Sequence, residues 1–374
     1  MENVFIKNIH IDSVRHLKNI EINISDNECK HIIFTGKNGS GKTSLIEALS
    51  KYIEYVSNNK SEESRNVLDI NFNITEPEIY NKFNSGEIIL AYYQADRVFK
   101  TEEVKNVEKI NLNDKYSIYE KPSSKFVKYL VDMKVTQALS LTGNKREKAE
   151  QIGNWFISLE NLLKKIFNNN SLELVFDEDK FDFRIRIDGR NEFDFNTLSS
   201  GYAAVLDIVV DLIMRMEKNS NRRFEYNMPG IVLIDEIETH LHLELQREIL
   251  GLLTTVFPNI QFVVTTHSPF VLNSIENAVI YDLENHTFVK DGLNNVPYDG
   301  IVEGYFNVNS LSQELSRKFE EYKSLVKKKV LEDEDFAEIQ RLEIYLEEIP
   351  DYLALDITTQ YRELKQEFER RTDL

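Results

Sequence analysis

The stretch Gly36-Lys37-Asn38-Gly39-Ser40-Gly41-Lys42-Thr43 decides the fold of this chain. A short apolar run, His31 to Thr35, precedes it and an amphipathic run, Ser44 to Tyr55, follows it, so the order reads strand, glycine-rich loop, helix. Gly36 and Gly41 permit backbone angles and close approaches that point consecutive N–H groups at phosphate oxygens. Asn38, Gly39 and Ser40 fill the loop between them. Lys42 is expected to reach β- and γ-phosphates, Thr43 to offer a hydroxyl to Mg²⁺, and the helix opening at Ser44 to direct its positive end at the same anion. A nucleoside triphosphate with Mg²⁺ is the natural ligand of such a loop.

Working outward, Phe5 to Ile11 and Leu17 to Ile24 alternate apolar and polar residues as a half-buried antiparallel hairpin does, and Val67 to Ile74 and Glu87 to Tyr93 supply further strands. The polar segment from Asn58 to Ser64 reads as a solvated turn. A first lobe is expected over 1–95. Over 96–197 the character changes to Lys- and Glu-rich stretches around helical patterns at Ser123 to Leu141 and Lys145 to Phe167, followed by β-like runs at Leu172 to Phe176 and Phe181 to Ile187, which reads as an inserted, largely helical subdomain. A second lobe over 198–308 carries helices at Ala203 to Met216 and Leu243 to Val256 and strands at Ile231 to Ile234 and Gln261 to Thr265. That alternation predicts an α/β fold with a mixed, mostly parallel sheet. From 309 to 374 the sequence is helical and charge-laden, as a tail domain would be.

Two downstream strands end in chemistry. Ile231-Val232-Leu233-Ile234 delivers Asp235 and Glu236, the first suited to hold Mg²⁺ through water and the second to orient or deprotonate an attacking water. Phe262-Val263-Val264-Thr265-Thr266 delivers His267, which can contact a γ-phosphate and sense its loss. Between the loop and these strands, Leu198-Ser199-Ser200-Gly201-Tyr202 leads directly into a helix, which makes either a second phosphate-facing turn or an ordinary cap.

With these four motifs in this order the chain resembles the ABC ATPases: Walker A at Gly36 to Thr43, signature at Leu198 to Tyr202, Walker B at Ile231 to Glu236, and a switch histidine at His267. The resemblance implies a P-loop head that binds and hydrolyses ATP, with adenine preference coming from the family alone. It implies a head-to-tail homodimer or higher oligomer in which Ser199 and Gly201 of one protomer close over ATP held by Lys42 of the other. It also suggests Gln94 as the loop glutamine that contacts Mg²⁺ and the attacking water. Arg15, in the opening hairpin, is either a nucleotide contact, as comparable arginines are in chromosome-associated members, or a surface residue. Asn38-Gly39-Ser40 and the run Asp235 to His242 are similar to the OLD, RecF and SMC-like group rather than to transporters. Transporter ATPases usually carry aspartate where this chain has His242, and His240 with His242 could be read as a metal pair or as packing and capping residues.

Composition narrows the setting. The formal net charge of -18 excludes a uniformly basic nucleic-acid glove but leaves room for a local patch, for which Lys121, Lys125, Lys128, Lys134, Lys145, Arg146 and Lys148 are candidates if they are not simply a solvated helix surface. The single cysteine, Cys29, cannot form an intrachain disulfide, and no segment approaches the roughly 18 uninterrupted apolar residues of a membrane span. The start lacks a basic region followed by an apolar stretch, so a cytoplasmic protein without a membrane partner is expected. The insertion is too short for coiled-coil arms, and the tail lacks a strand-borne carboxylate pair of the kind a nuclease centre uses. An ABC head of this description resembles the ATPase subunits of bacterial anti-phage systems of the Septu, retron and PARIS types. By that analogy the chain is expected to regulate a separately encoded effector such as a nuclease. A RecF-like repair ATPase that binds nucleic acid, and a nucleotide-gated scaffold with little turnover, are the alternatives.

Overall fold

The computed structural model describes residues 3–58, 67–290, 292–293, 296, 313–328, 331–347 and 355–370. The expected turn beyond residue 58 and the boundary at 308–309 lie outside the described residues. The chain divides into two compact units, residues 1–298 and 299–374.

The larger unit is built on a six-stranded sheet. Its strands are β3 (His31–Thr35), β5 (Ile89–Tyr93), β9 (Gly230–Ile234), β10 (Ile260–Thr265), β11 (Ala278–Asp282) and β12 (Thr287–Val289), in the order β12-β11-β3-β10-β9-β5. The five strands from β11 to β5 run parallel, and only β12 is antiparallel, at the edge. Every residue of those five is buried, which is why they read as unbroken apolar runs rather than alternating ones. A second sheet joins β1 (Ile6–Val14), β2 (Leu17–Asn23) and β4 (Leu68–Phe72) antiparallel, with β1 in the middle. Here the alternation is visible: Ile9, Ile11, Ile20 and Ile22 face the core, and their neighbours face water.

Helix α1 (Lys42–Asn58) lies between these sheets and buries Leu45, Ile46, Leu49, Tyr52, Ile53 and Val56 in the shared core. Helix α2 (Glu76–Asn84) stands between β4 and β5, where strand patterning announces nothing. Its signal is local: Thr75 and Glu78 form a reciprocal capping box and Pro77 sits in the first turn.

The insertion contributes α3 (Phe126–Thr142) and α4 (Arg146–Ile166), led by a short 3-10 turn at Pro122–Lys125, and a small sheet of β6 (Glu173–Asp177), β7 (Asp182–Arg186) and β8 (Phe193–Asp194). Helix α5 (Ser200–Ser220) anchors it. Glu217 accepts hydrogen bonds from Tyr129 on α3 at 3.0 Å, Trp155 on α4 at 3.0 Å and Tyr226 at 2.7 Å. Helix α6 (Leu243–Val256) and the single turn α7 (Pro269–Leu272) complete the unit.

The smaller unit consists of α8 (Gln313–Val326), α9 (Asp333–Glu347) and α10 (Leu355–Glu369). They meet over Phe319, Tyr322, Val326, Ile339, Leu342, Leu346 and Tyr361. No helix among the described residues is long and apolar enough to cross a membrane.

Candidate active site

Parallel strands deliver their following loops to one edge of a sheet, the place where open α/β folds collect ligand chemistry. Here β3 runs into the glycine-rich loop, β5 into Gln94, β9 into Asp235 and Glu236, and β10 into Thr266 and His267. The loop itself needs its glycines. Gly36, Gly39 and Gly41 all have positive φ, and a Cβ on Gly41 would press on Leu17 at 3.1 Å and His16 at 3.2 Å, because the β1–β2 turn packs against the loop. The His16 ring also meets the Ser40 carbonyl at 3.1 Å.

Lys42 is buried, and its ammonium donates to two loop carbonyls, those of Gly36 at 2.6 Å and Lys37 at 3.0 Å. Two of its three donors are therefore spent inside the loop. Burial pulls its pKa down from the ordinary lysine value, against the fields of Glu236, Glu238, Asp235 and Asp282. The Ser40 hydroxyl is buried and, among the described residues, has no hydrogen-bond partner, an unspent group in a loop of anion-binding geometry.

Asp235 ends β9 almost wholly buried. One of its oxygens accepts from Thr265 at 2.6 Å and, more weakly, from Thr43 at 3.5 Å. Burial pushes its carboxyl up, and the two hydroxyls oppose that shift. A hydroxyl and a carboxylate presented together are the hard oxygen donors that Mg²⁺ accepts alongside phosphate and water, so the residues present fit that ion. Glu236, the next residue, holds a left-handed backbone at φ 41°. Its N–H donates to Thr265 Oγ1 at 2.7 Å, and its carboxylate accepts from Thr239 at 3.2 Å. A cleft of about 370 Å³ is lined by Arg15, His16, Asn38, Gly39, Gly41, Lys42, Thr43, Ser44 and Glu236. Arg15, itself at φ 54° in the β1–β2 turn, thus stands at the loop and not on a remote surface.

His267 is fixed by a residue that sequence reasoning passed over. Glu238, 4% exposed, accepts both the His267 backbone N–H at 2.6 Å and its ring Nδ1 at 2.8 Å. A carboxylate on Nδ1 keeps a proton on that nitrogen and leaves Nε2 to face a ligand, as a donor to an anion when the imidazole is protonated. The bond to Glu238 raises the His267 pKa. Arg97 is the second omission: buried, it donates to the carbonyls of Gln94 at 3.0 Å, Asp235 at 2.7 Å, Glu236 at 3.0 Å and Ile237 at 3.1 Å. Glu238 carries a signal, being the third carboxylate in Asp235-Glu236-Ile237-Glu238, whereas Arg97 carries none.

The structure brings Gln94 to the end of β5 beside Asp235, whose N–H donates to the Tyr93 carbonyl at 2.8 Å; the Gln94 side chain is exposed and does not line the cleft. Ser199 and Gly201 do not line it either. Ser199 caps α5 in extended conformation with no capping bond from its side chain, and Gly201 packs so closely that a Cβ there would lie 3.0 Å from the His240 carbonyl. His242 occupies the cap position of α6, with its ring edge-on to Tyr202 at 5.7 Å, and no group of three or more metal-ligating residues occurs among the described residues. In the lysine-rich insertion, Lys121 pairs with Asp207 at 2.7 Å, Lys128 with Glu102 at 2.6 Å, and Lys134 lies over the Phe156 ring at 5.3 Å.

Comparison with known proteins follows the same motifs. The family described as "AAA domain, putative AbiEii toxin, Type IV TA system" matches residues 141–273, a span that holds the signature turn, the Walker B strand and His267. Septu protein PtuA of Bacillus mycoides is 25% identical over 313 residues, covering 75% of this chain and 41% of that protein. The Escherichia coli retron Ec83 probable ATPase is 37% identical over 134 residues, covering 34% of this chain and 25% of that protein. The Vibrio cholerae retron Vc95 probable ATPase is 24% identical over 380 residues, covering 75% of this chain and 74% of that protein. The match thus spans less than half the length of the first two relatives. With the α/β P-loop architecture described above, these similarities, two of them to proteins named probable ATPases, support NTPase activity.

Proposed function

We propose that the chain binds ATP with Mg²⁺ in the cleft beside the glycine-rich loop and hydrolyses it at a site completed by a second copy. The observation that carries this reading is the convergence of Lys42, Thr43, Asp235 and Glu236 on one sheet edge, with Glu236 lining the cleft and Asp235 bonded to Thr43. Lys42, turned from its loop carbonyls, would meet the β- and γ-phosphates, and the loop N–H groups with the Ser40 hydroxyl would take the remaining oxygens. Thr43 and Asp235 would hold Mg²⁺, which would neutralise developing phosphoryl charge, and the exposed Gln94 side chain would have to turn into the cleft to join them. Glu236 would orient the attacking water and accept its proton as the water oxygen bonds to the γ-phosphorus and the bond to the ADP oxygen breaks. His267, through Nε2, would touch the γ-phosphate and register its departure.

Two observations support sharing of the site between copies. The Ser199 hydroxyl makes no capping bond, and the turn that bears it lies outside the cleft of its own chain. A head-to-tail pair would bring Ser199 and Gly201 over the partner's triphosphate at the positive end of α5. By the resemblance to the ATPase subunits of Septu and retron systems, the chain would act beside a separate defence effector, whose release or restraint would follow the nucleotide state.

The direct test is turnover. Glu236→Gln is expected to retain ATP binding and lose about 10²- to 10⁴-fold in hydrolysis, while Lys42→Ala loses binding. Wild-type protein that neither binds nor hydrolyses ATP with Mg²⁺ would sink the reading.

A further inference from the structure

Arg97 is 2% exposed and, among the described residues, forms no ion pair; its two Nη groups donate to backbone carbonyls, its Nε meets no partner among the described residues, and, against burial, the fields of Asp207, Glu238, Asp235 and Glu236 favour its charge. An unpaired buried charge is an expensive way to fill space, and an apolar side chain of similar volume would serve packing as well or better. What the fork does accomplish is geometric. Nη1 holds the carbonyls of Gln94 and Asp235, and Nη2 those of Glu236 and Ile237, so one planar group spans the ends of β5 and β9. Glu236 needs such a clamp. A left-handed backbone on a non-glycine residue is strained and persists only where its surroundings over-determine it. Here Thr265 fixes the Glu236 N–H, and Arg97 together with the Thr239 N–H fixes its carbonyl, so the residue is gripped on both sides of its Cα.

We infer that Arg97 is a positioning residue for hydrolysis: it locks Glu236 in its left-handed conformation and ties the Gln94 backbone to it, so that the base faces the γ-phosphate in fixed relation to the end of β5. The inference rests on the proposed ATPase site and adds to it a group that touches neither nucleotide nor water.

The test compares Arg97→Met and Arg97→Lys with wild type, with and without Glu236→Gln, reading kcat and KM for ATP hydrolysis and the Kd of a fluorescent ATP analogue. Misplacing a catalytic group by about 1 Å can cost about 10²-fold. Arg97→Met is therefore expected to lower kcat by about 10- to 100-fold with KM and analogue Kd within about threefold of wild type. Arg97→Lys, which keeps the charge but not the fork, is expected to fall between the two. In the Glu236→Gln background either change should lower residual turnover by less than about twofold, because the base it positions is already gone. Wild-type kcat in Arg97→Met, a parallel loss of nucleotide affinity, or a full additional loss on top of Glu236→Gln would each overturn the inference. If Arg97→Met does not fold, Arg97→Lys decides by the same criteria. Failure of the site itself looks different: Glu236→Gln would then hydrolyse ATP as wild type does.

Discussion

Glu238 holds His267 by two bonds to one oxygen, and the pair has a pH signature of its own. Burial, the largest influence on the Glu238 carboxyl, pushes its pKa up, but the side-chain and backbone donors of His267 outweigh it and leave the value below the ordinary 4.5. For His267 the bond to Glu238 dominates and raises the imidazole above 6.5 despite burial. A lowered carboxylate contributes stability above its ordinary pKa and loses it as pH falls through the folded value. A raised imidazole contributes fully below its ordinary pKa and loses it as pH rises through the folded one. Both conditions hold together between 4.5 and 6.5. The melting temperature of Glu238→Gln is therefore expected to fall furthest below wild type in that window and to approach it as pH rises above 6.5 through the raised His267 pKa. A gap that stays constant from about pH 5 to about pH 9 would show that the charge of His267 plays no part.

Helix α5 illustrates what a single element adds. Asp207, Asp211 and Arg215 follow one another at intervals of four and so share one stripe, buried against β5 and the chain before α3. Asp211 accepts from Tyr93 at 2.8 Å, from the Ser123 N–H at 3.2 Å and from Arg215 at 2.7 Å, while Arg215 also donates to the carbonyls of Leu90, Ser117 and Glu120. Removing one member of a buried pair strands the other charge, so Asp211→Ala is expected to cost about 3–5 kcal/mol in urea denaturation. A loss under about 1 kcal/mol would mean that the carbonyls alone satisfy Arg215. None of this was legible from the order of residues, since the polar stripe reads simply as one face of an amphipathic helix. The glycine loop, the Asp235-Glu236 strand end and helix α6 were legible because each is specified by its own contiguous residues. Arg97 was not, because three of its carbonyl partners lie 138 to 140 residues away. Helix α2 lies between these cases: its Thr75–Glu78 box is written in the sequence, but the strand alternation on either side of it carries no sign of a helix.

At the scale of the molecule, topology supplies most of the proposed site and leaves one part outside it. The order β3-β10-β9-β5 sets Gly36, His267, Asp235 and Gln94 along one edge, whereas Ser199 and Gly201, at the start of α5, do not line the cleft beside Lys42. If a head-to-tail pair closes that gap, each site draws Lys42 from one copy and Ser199 from the other. Lys42→Ala and Ser199→Arg are then each inactive alone, for different reasons. In a mixed pair, one site inherits both defects and the other inherits neither. Equal mixing, after exchange of subunits, yields mixed pairs in half the population with one intact site of two, so turnover is expected to recover to about a quarter of the wild-type value. Recovery should rise and fall with the fraction of mixed pairs, measurable by tagging the two variants differently and separating them by affinity. A mixture as inactive as its components, with mixed pairs present, would mean that Ser199 of one copy does not serve the Lys42 of another.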